Sequence, residues 1–409
     1  MSRQIKKISA ILLALALVFV SSAVMSQAAN TAQAAITKIL EVPQGTEIPA
    51  IDFDFTITPV DVDGTAYDGS NMPTLGTAGA VTISIGSASN NSTNAGITSY
   101  WNESAELIDF DWSAYADGTY VYTIKETGND WTDPADPIVA EILSASQAEY
   151  TLSVYVENGE TWAVIAAYVQ DDAGNNAVLG DKVDPTPGGD GTTTFNSQLI
   201  FNAQYAKFVG TDPEDASFAL TDAPLIVSKA ITGSHMNASD EFDFTMTVTM
   251  PSFVGVNADF TAFSGSYDAY LFEGGAIVDT PAVVKVTFVS GTANTFKLKG
   301  GQSLVFANLP VGASFSVTED AFTGYVPSVA IHGTTIPGSL NTALSTGLYY
   351  IMDPSAGQSI AAYTNDASAP PPTGLNMNTL PFYAMIILSI SAMGVYLAAK
   401  TRKRKAQQF

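Results

Sequence analysis

Alternation of apolar and polar residues with a period of two recurs through the middle of the chain. It is clearest in Ile51-Asp-Phe-Asp-Phe-Thr-Ile-Thr58, Tyr120-Val-Tyr-Thr-Ile124, Tyr150-Thr-Leu-Ser-Val-Tyr-Val156, Phe242-Asp-Phe-Thr-Met-Thr-Val248 and Val284-Lys-Val-Thr-Phe288. Successive strand side chains point to opposite faces, so each run predicts a strand with one buried face. Thr, Val, Tyr and Phe fill these runs, and Gly, Asn, Asp and Pro separate them, as strands and turns require. No stretch between the two ends sustains a helical period. The pattern predicts an all-β fold of antiparallel sheets packed as Ig-like sandwiches.

Three polar stretches interrupt the strands. Gly86–Gly96 and Gly180–Thr194 read as surface loops, and Gly210–Pro224 reads as a linker. The expected organisation is one sandwich over 35–209, a linker over 210–224 and a second sandwich over 225–368.

The two ends break this pattern. Residues 1–34 combine basic Arg3, Lys6 and Lys7, an apolar core from Ile8 to Val20, and small-x-small sites at Ser26-Gln27-Ala28 and Ala32-Gln33-Ala34. This predicts a cleaved secretory signal, too short in its apolar part to span a bilayer comfortably. Residues 369–409 carry Pro370-Pro371-Pro372-Thr373-Gly374, an apolar stretch from Leu380 to Ala399, and the basic tail Lys400, Arg402, Lys403, Arg404 and Lys405. The apolar stretch is long enough to cross a membrane, with the basic tail on the cytoplasmic side. The tripartite order resembles the sorting signal of Gram-positive wall proteins, usually Leu-Pro-x-Thr-Gly, with Pro370 in place of Leu. That resemblance implies attack of a sortase cysteine on the Thr373 carbonyl, release from Gly374 onward, and transfer of the acyl group to an amine. The expected location is the cell surface, exported and wall-anchored.

Charge and composition narrow the function. The chain has 16 basic and 40 acidic residues, and the two ends hold eight of the basic ones and none of the acidic. The body is therefore strongly acidic and unsuited to nucleic acid or anionic membranes. Asp52, Asp54, Asp61, Asp63, Asp171 and Asp172 cluster locally without the glycine and distal glutamate of a Ca²⁺ loop. No metal or cofactor is expected. There is no cysteine, so no disulfide stiffens an exported body. The two histidines, His235 and His332, lie in loop-like contexts, and no nucleophile, metal cluster or phosphate loop accompanies them. A surface hydrolase is the weakest functional class.

A weak internal repeat supplies the candidate chemistry. Ile36-Thr-Lys38-Ile-Leu40 precedes Phe53-Asp-Phe-Thr56, and Ile226-Val-Ser-Lys229-Ala-Ile231 precedes Phe242-Asp-Phe-Thr245. Each half then offers a strand ending in glutamate, Glu126 and Glu319, and a closing strand with asparagine, Asn202 and Asn365. Lysine and glutamate are 88 residues apart in one half and 90 in the other. Strand parity predicts all six polar side chains inside the cores, where an unpaired charge is costly. Burial lowers a lysine pKa and raises a glutamate pKa. A neutral amine can then attack the asparagine carbonyl while a protonated glutamate polarises it and shuttles the proton. Ammonia leaves and an amide remains.

With these residues the body resembles the major shaft pilins of Gram-positive bacteria, built from Cna protein B-type domains with intramolecular Lys–Asn isopeptide bonds. The stretch Asn308-Leu-Pro-Val-Gly-Ala-Ser-Phe-Ser-Val-Thr-Glu319 carries the likeness most specifically. The resemblance implies bonds Lys38–Asn202 with catalytic Glu126 and Lys229–Asn365 with catalytic Glu319. Asn196 is a second choice in the first half. It also implies polymerisation by a class C pilin sortase onto a lysine of an identical subunit, for which Lys182 is the candidate and Lys207 the rival. Minor pilins, a housekeeping sortase and peptidoglycan would be further partners. The alternative is a wall-anchored adhesin or stalk that does not polymerise.

Overall fold

The computed structural model describes residues 32–136, 139–176, 181–188, 197–215, 217–251 and 266–368, together with 385, 386, 388–393 and 396 of a C-terminal helix. The signal segment up to residue 31, the sorting motif Pro370–Gly374 and Asn196 lie outside the described residues. Among the described residues no helix is long and apolar enough to cross a membrane.

The five alternating runs all form strands, four of them within Ile51–Val62, Gly118–Asn129, Glu149–Glu157 and Glu241–Thr249, and the fifth, from its second residue, within Lys285–Val289. Burial follows the predicted parity. In Ile51–Val62 the side chains of Ile51, Phe53, Phe55 and Ile57 are buried, while Asp52 and Asp54 are exposed. Apart from the C-terminal helix and short 3-10 turns, the described residues are all-β and fold as two sandwiches in sequence.

In the first sandwich one sheet holds the opening strand Thr37–Pro43 between Ile200–Val209 and Ile97–Glu103. The opposing sheet runs Glu160–Gln170, Glu149–Glu157, Gly118–Asn129, Ile51–Val62. Phe53, Phe55, Tyr122 and Tyr150 from one sheet meet Ile36, Leu40, Phe201 and Tyr205 from the other. The second sandwich repeats this plan. Its opening strand Leu225–Thr232 lies between Ser359–Asp366 and Gln302–Phe306, and the opposing sheet centres on Glu241–Thr249 between Ala293–Lys299 and Ser314–Glu319. Phe55 meets Phe201 edge-on with ring centroids 5.0 Å apart, and Phe244 meets Tyr363 edge-on at 5.2 Å, which marks the two cores as equivalent.

The sheets depart from a purely antiparallel arrangement at one place in each half. The opening and closing strands pair in parallel, Thr37–Glu41 with Ile200–Gln204 and Leu225–Thr232 with Ser359–Asp366. A parallel pair needs a long crossover. Here the rest of the sandwich supplies it, so each half has its first and last strands side by side.

The expected loop Gly86–Gly96 is instead largely a strand. Asn90–Asn94 pairs with Ile97–Glu103 across a two-residue turn, with Ala95 at φ 49° and Gly96 at φ 84°. Two left-handed residues in succession match the twist of a tight hairpin. The strand lies at the sheet edge with mostly exposed side chains, so its polar composition resembled that of a loop.

The segment 210–224 does more than connect. Phe218, Leu220 and Ala223 pack on Ile226, Tyr270, Phe272 and Val305 of the second half. Two further contacts join the halves. Phe208 and Val209 pair antiparallel with Pro310 and Leu309. Lys207 Nζ lies 3.1 Å from Asp353, whose other contacts include the backbone N–H of Glu47, donating at 3.1 Å. Gly210 sits at this junction with φ 108°, where an added Cβ would run into the Ala307 carbonyl oxygen. Gly210→Ala is expected to cost more than about 2 kcal/mol, from a backbone region worth about 1–3 kcal/mol to a non-glycine residue plus the overlap. A fall in the urea midpoint without a change in slope would register it; an unchanged midpoint would contradict it.

Candidate functional site

In the second half the three predicted residues come together. Lys229 lies on the opening strand, Glu319 at the end of Ser314–Glu319 in the facing sheet, and Asn365 on the closing strand. Lys229 Nζ is 2.6 Å from Glu319 Oε1, and Asn365 Nδ2 donates to the same oxygen at 2.5 Å. Lys229 registers with Tyr363 across the parallel pair, so Asn365 lies two residues further on, on the same face. All three side chains are buried. Glu319 Oε2 and Asn365 Oδ1 have no hydrogen-bond partner. Buried polar atoms are ordinarily paired, so two orphans at one point mark an unusual site.

The surroundings set the protonation. Burial among the aromatic rings pushes the Lys229 amine down to about 8, against the attraction of Glu319. Burial likewise raises the Glu319 carboxyl above its usual range, against Lys229 and the Asn365 amide. Both shifts favour the uncharged pair that amide formation needs. The ring of Phe242 lies 4.1 Å below Nζ and closes the site to water on that side.

The first half reproduces most of this arrangement. Lys38 Nζ is 2.6 Å from Glu126 Oε2, both side chains are buried, and Phe53 lies 4.1 Å from Nζ. Glu126 registers with Phe55 as Glu319 does with Phe244. Burial lowers the Lys38 pKa and raises that of Glu126. Glu126 Oε1 has no partner.

Asn202 does not join them. It registers with Ile39, one residue beyond Lys38, and therefore lies on the opposite face of the closing strand. Its Nδ2 donates to Asp172 Oδ2 at 2.8 Å, and its backbone N–H donates to Asp172 Oδ1 at 2.9 Å. Phe201, the register partner of Lys38, is followed two residues on by Ala203, which is buried at the place Asn365 takes in the second half. The prediction that all six polar groups face the cores is corrected here. Five do so, and Asn202 sits half-buried on the outer face of the closing strand.

The two lysines considered as acyl acceptors have different surroundings. Lys182 is exposed on the short edge strand Lys182–Val183, paired with Ala167. Lys207 is 12% exposed, with Asp353 at 3.1 Å and Glu141 at 3.8 Å. The acidic residues considered for calcium are dispersed. Asp52 and Asp54 accept from Ser84 and Thr82, Asp171 from the Asn175 turn, and Asp172 from Ser146 and Asn202. Among the described residues no three metal-ligating side chains gather. Asp353, which bridges the halves, carried no signal in the sequence. The phenylalanines beneath the amines did, since Phe-Asp-Phe-Thr occurs in both halves.

Fold and site define a tandem β-sandwich protein with a buried lysine–glutamate pair in each sandwich and an asparagine beside one of them. Comparison with known proteins places this class. A family profile described as a domain of unknown function, DUF7601, matches residues 223–346. A pilin of Streptococcus pyogenes is 24% identical over 237 residues, 54% of this chain and 66% of the relative. A pilus tip adhesin of the same species is 28% identical over 151 residues, 37% of this chain and 18% of the relative. A solved structure of the major pilin from Streptococcus pyogenes aligns over 82% of this chain and 99% of its own, at 18% identity and a TM-score of 0.30. The chain thus spans about two thirds of the related pilin and under a fifth of the tip adhesin. It is similar to pilus proteins of Streptococcus pyogenes.

Proposed function

We propose that the protein is a structural subunit of a sortase-assembled surface pilus, strengthened by an intramolecular Lys229–Asn365 isopeptide bond. The observation that carries the reading is the buried Lys229–Glu319–Asn365 cluster, in a chain whose relatives are pilus proteins. The neutral Nζ attacks the Asn365 side-chain carbonyl carbon. Protonated Glu319 first hydrogen-bonds the carbonyl oxygen, after a half-turn of the amide. It then carries the proton lost by Nζ to the departing nitrogen. One C–N bond forms, one breaks, and ammonia leaves. The product amide is uncharged and suits a site where a lone charge is costly. It joins the first and last strands of the sandwich, so tension applied at its two ends falls on a covalent link.

Export by the N-terminal segment and sortase cleavage between Thr373 and Gly374 belong to the same reading. So does transfer of the Thr373 acyl group to a lysine of an identical subunit. Lys182 is the better-placed acceptor, because a sortase must reach the amine and Lys207 is enclosed at the junction of the halves. Boiled wall extracts are expected to show a high-mass ladder. Lys182→Ala should collapse it to a single band and Lys207→Ala should leave it. A ladder that survives Lys182→Ala would overturn the acceptor. The absence of any ladder from the wild type would leave a wall-anchored stalk or adhesin.

A further inference from the structure

We infer that the first sandwich holds the amine and the acid of the cross-link without an acyl partner. Its closing strand presents Ala203 where the second sandwich presents Asn365, so Lys38 stays a free, buried amine. The inference deepens the isopeptide reading of the second sandwich and rests on it.

The equivalence of the two sites stands on register. Lys38 pairs with Phe201 and Lys229 with Tyr363, each across a parallel opening–closing strand pair. Those two rings contact matching phenylalanines, Phe55 and Phe244, which themselves register with Glu126 and Glu319. With lysine, both phenylalanines and glutamate matched, the acyl position is fixed as two residues beyond the ring on the closing strand. There Tyr363-Thr364-Asn365 has the counterpart Phe201-Asn202-Ala203. Ala203 is buried in the core and has no side-chain carbonyl to attack.

Among the described residues no neighbour substitutes for it. Asn202 faces away, as adjacent strand residues must. Asp172 is the other nearby carbonyl group, and it is already bound. Its Oδ1 accepts from Ser146 Oγ at 2.5 Å and from the Asn202 N–H, and its Oδ2 accepts from Asn202 Nδ2. The Lys38–Glu126 pair therefore remains as a buried ion pair with Glu126 Oε1 unpartnered. The site needs only the missing side chain. An asparagine introduced at position 203 would meet Lys38 and Glu126 as Asn365 meets Lys229 and Glu319. The same reaction would follow, one C–N bond formed, one broken, and ammonia released.

The test is proteolysis of the full chain followed by tandem mass spectrometry, for the wild type, Ala203→Asn and Ala203→Asn/Glu126→Gln. In the wild type the Lys38 peptide should be linear and the Lys229 peptide branched to that of Asn365. Ala203→Asn should convert the Lys38 peptide to a branched species short of one ammonia, and the added Glu126→Gln should return it to linear. A branched Lys38 peptide in the wild type, joined to any residue, overturns the inference without touching the second sandwich. So does a linear Lys38 peptide in Ala203→Asn beside an intact Lys229 cross-link. A linear Lys229 peptide in the wild type overturns the isopeptide reading itself, and the inference with it. The wild-type arm needs no substitution, so poor folding of the variant does not remove the test.

Discussion

Glu319→Gln is expected to lower the melting temperature of the second sandwich by roughly 15–20 °C and to return the Lys229 and Asn365 peptides to linear form. The substitution keeps the size of the side chain and removes the acid that moves the proton. The cross-link closes a loop of about 140 residues, and loop-closure entropy assigns such a link on the order of 5 kcal/mol. In a domain of this size each kcal/mol shifts melting by about 3–4 °C. Lys229 would also lose its charged partner, and the sign of its shift says how that loss varies with pH. The folded amine has a pKa of about 8 against 10.5 unfolded, so the unfolded state binds more protons in between. Without Glu319 to raise it, the amine of the variant is held lower still, so stability of the uncross-linked variant should rise with pH up to about 10.5. Calorimetry and peptide mapping on the same samples check both parts. A Glu319→Gln chain that keeps its cross-link, or melts with the wild type, would sink the assignment.

The first sandwich should behave in the opposite way. Glu126→Leu alone is expected to cost about 3–5 kcal/mol, because it strands a buried ammonium. Lys38→Met/Glu126→Leu together should be close to neutral or stabilising, because an ion pair sealed in a core recovers little beyond its own desolvation. Burial acts on the two groups with opposite signs. The depressed Lys38 pKa adds stability as pH rises toward the unfolded value of 10.5. The raised Glu126 pKa adds stability at acid pH that is lost as pH climbs above 4.5. Both slopes should vanish in the double variant. Chemical denaturation at several pH values measures this. If the double variant lost several kcal/mol, Lys38 would be holding a covalent bond. Under load the halves should differ too, the first extending at forces set by hydrogen bonds and the second resisting.

The strands and the amine–acid pairs were legible because they depend on parity within one segment. Ile51–Val62 shows its buried face in its own alternation, and Lys38, Lys229, Glu126 and Glu319 each sit on a readable inward position. Asn202 was misplaced for a related reason. A closing strand reading Leu199-Ile-Phe-Asn202 does not reveal which of its residues faces the opening strand's lysine, and a shift of one residue reverses the face. The strand Asn90–Asn94 was missed because an edge strand with both faces wet has no apolar pattern to read.

The sequence by itself determined the fold class, the acidic cysteine-free body and the repeated order of lysine and glutamate. Each of these is a property of composition or of spacing along one strand. Only the tertiary structure decided that the opening and closing strands run in parallel side by side. It also placed Asn365 on the glutamate oxygen that holds Lys229, gave the matching place to Ala203, and enclosed Lys207 against Asp353. Those facts depend on register between strands more than a hundred residues apart. Register is set by the packing of whole cores, to which no short stretch of sequence has access.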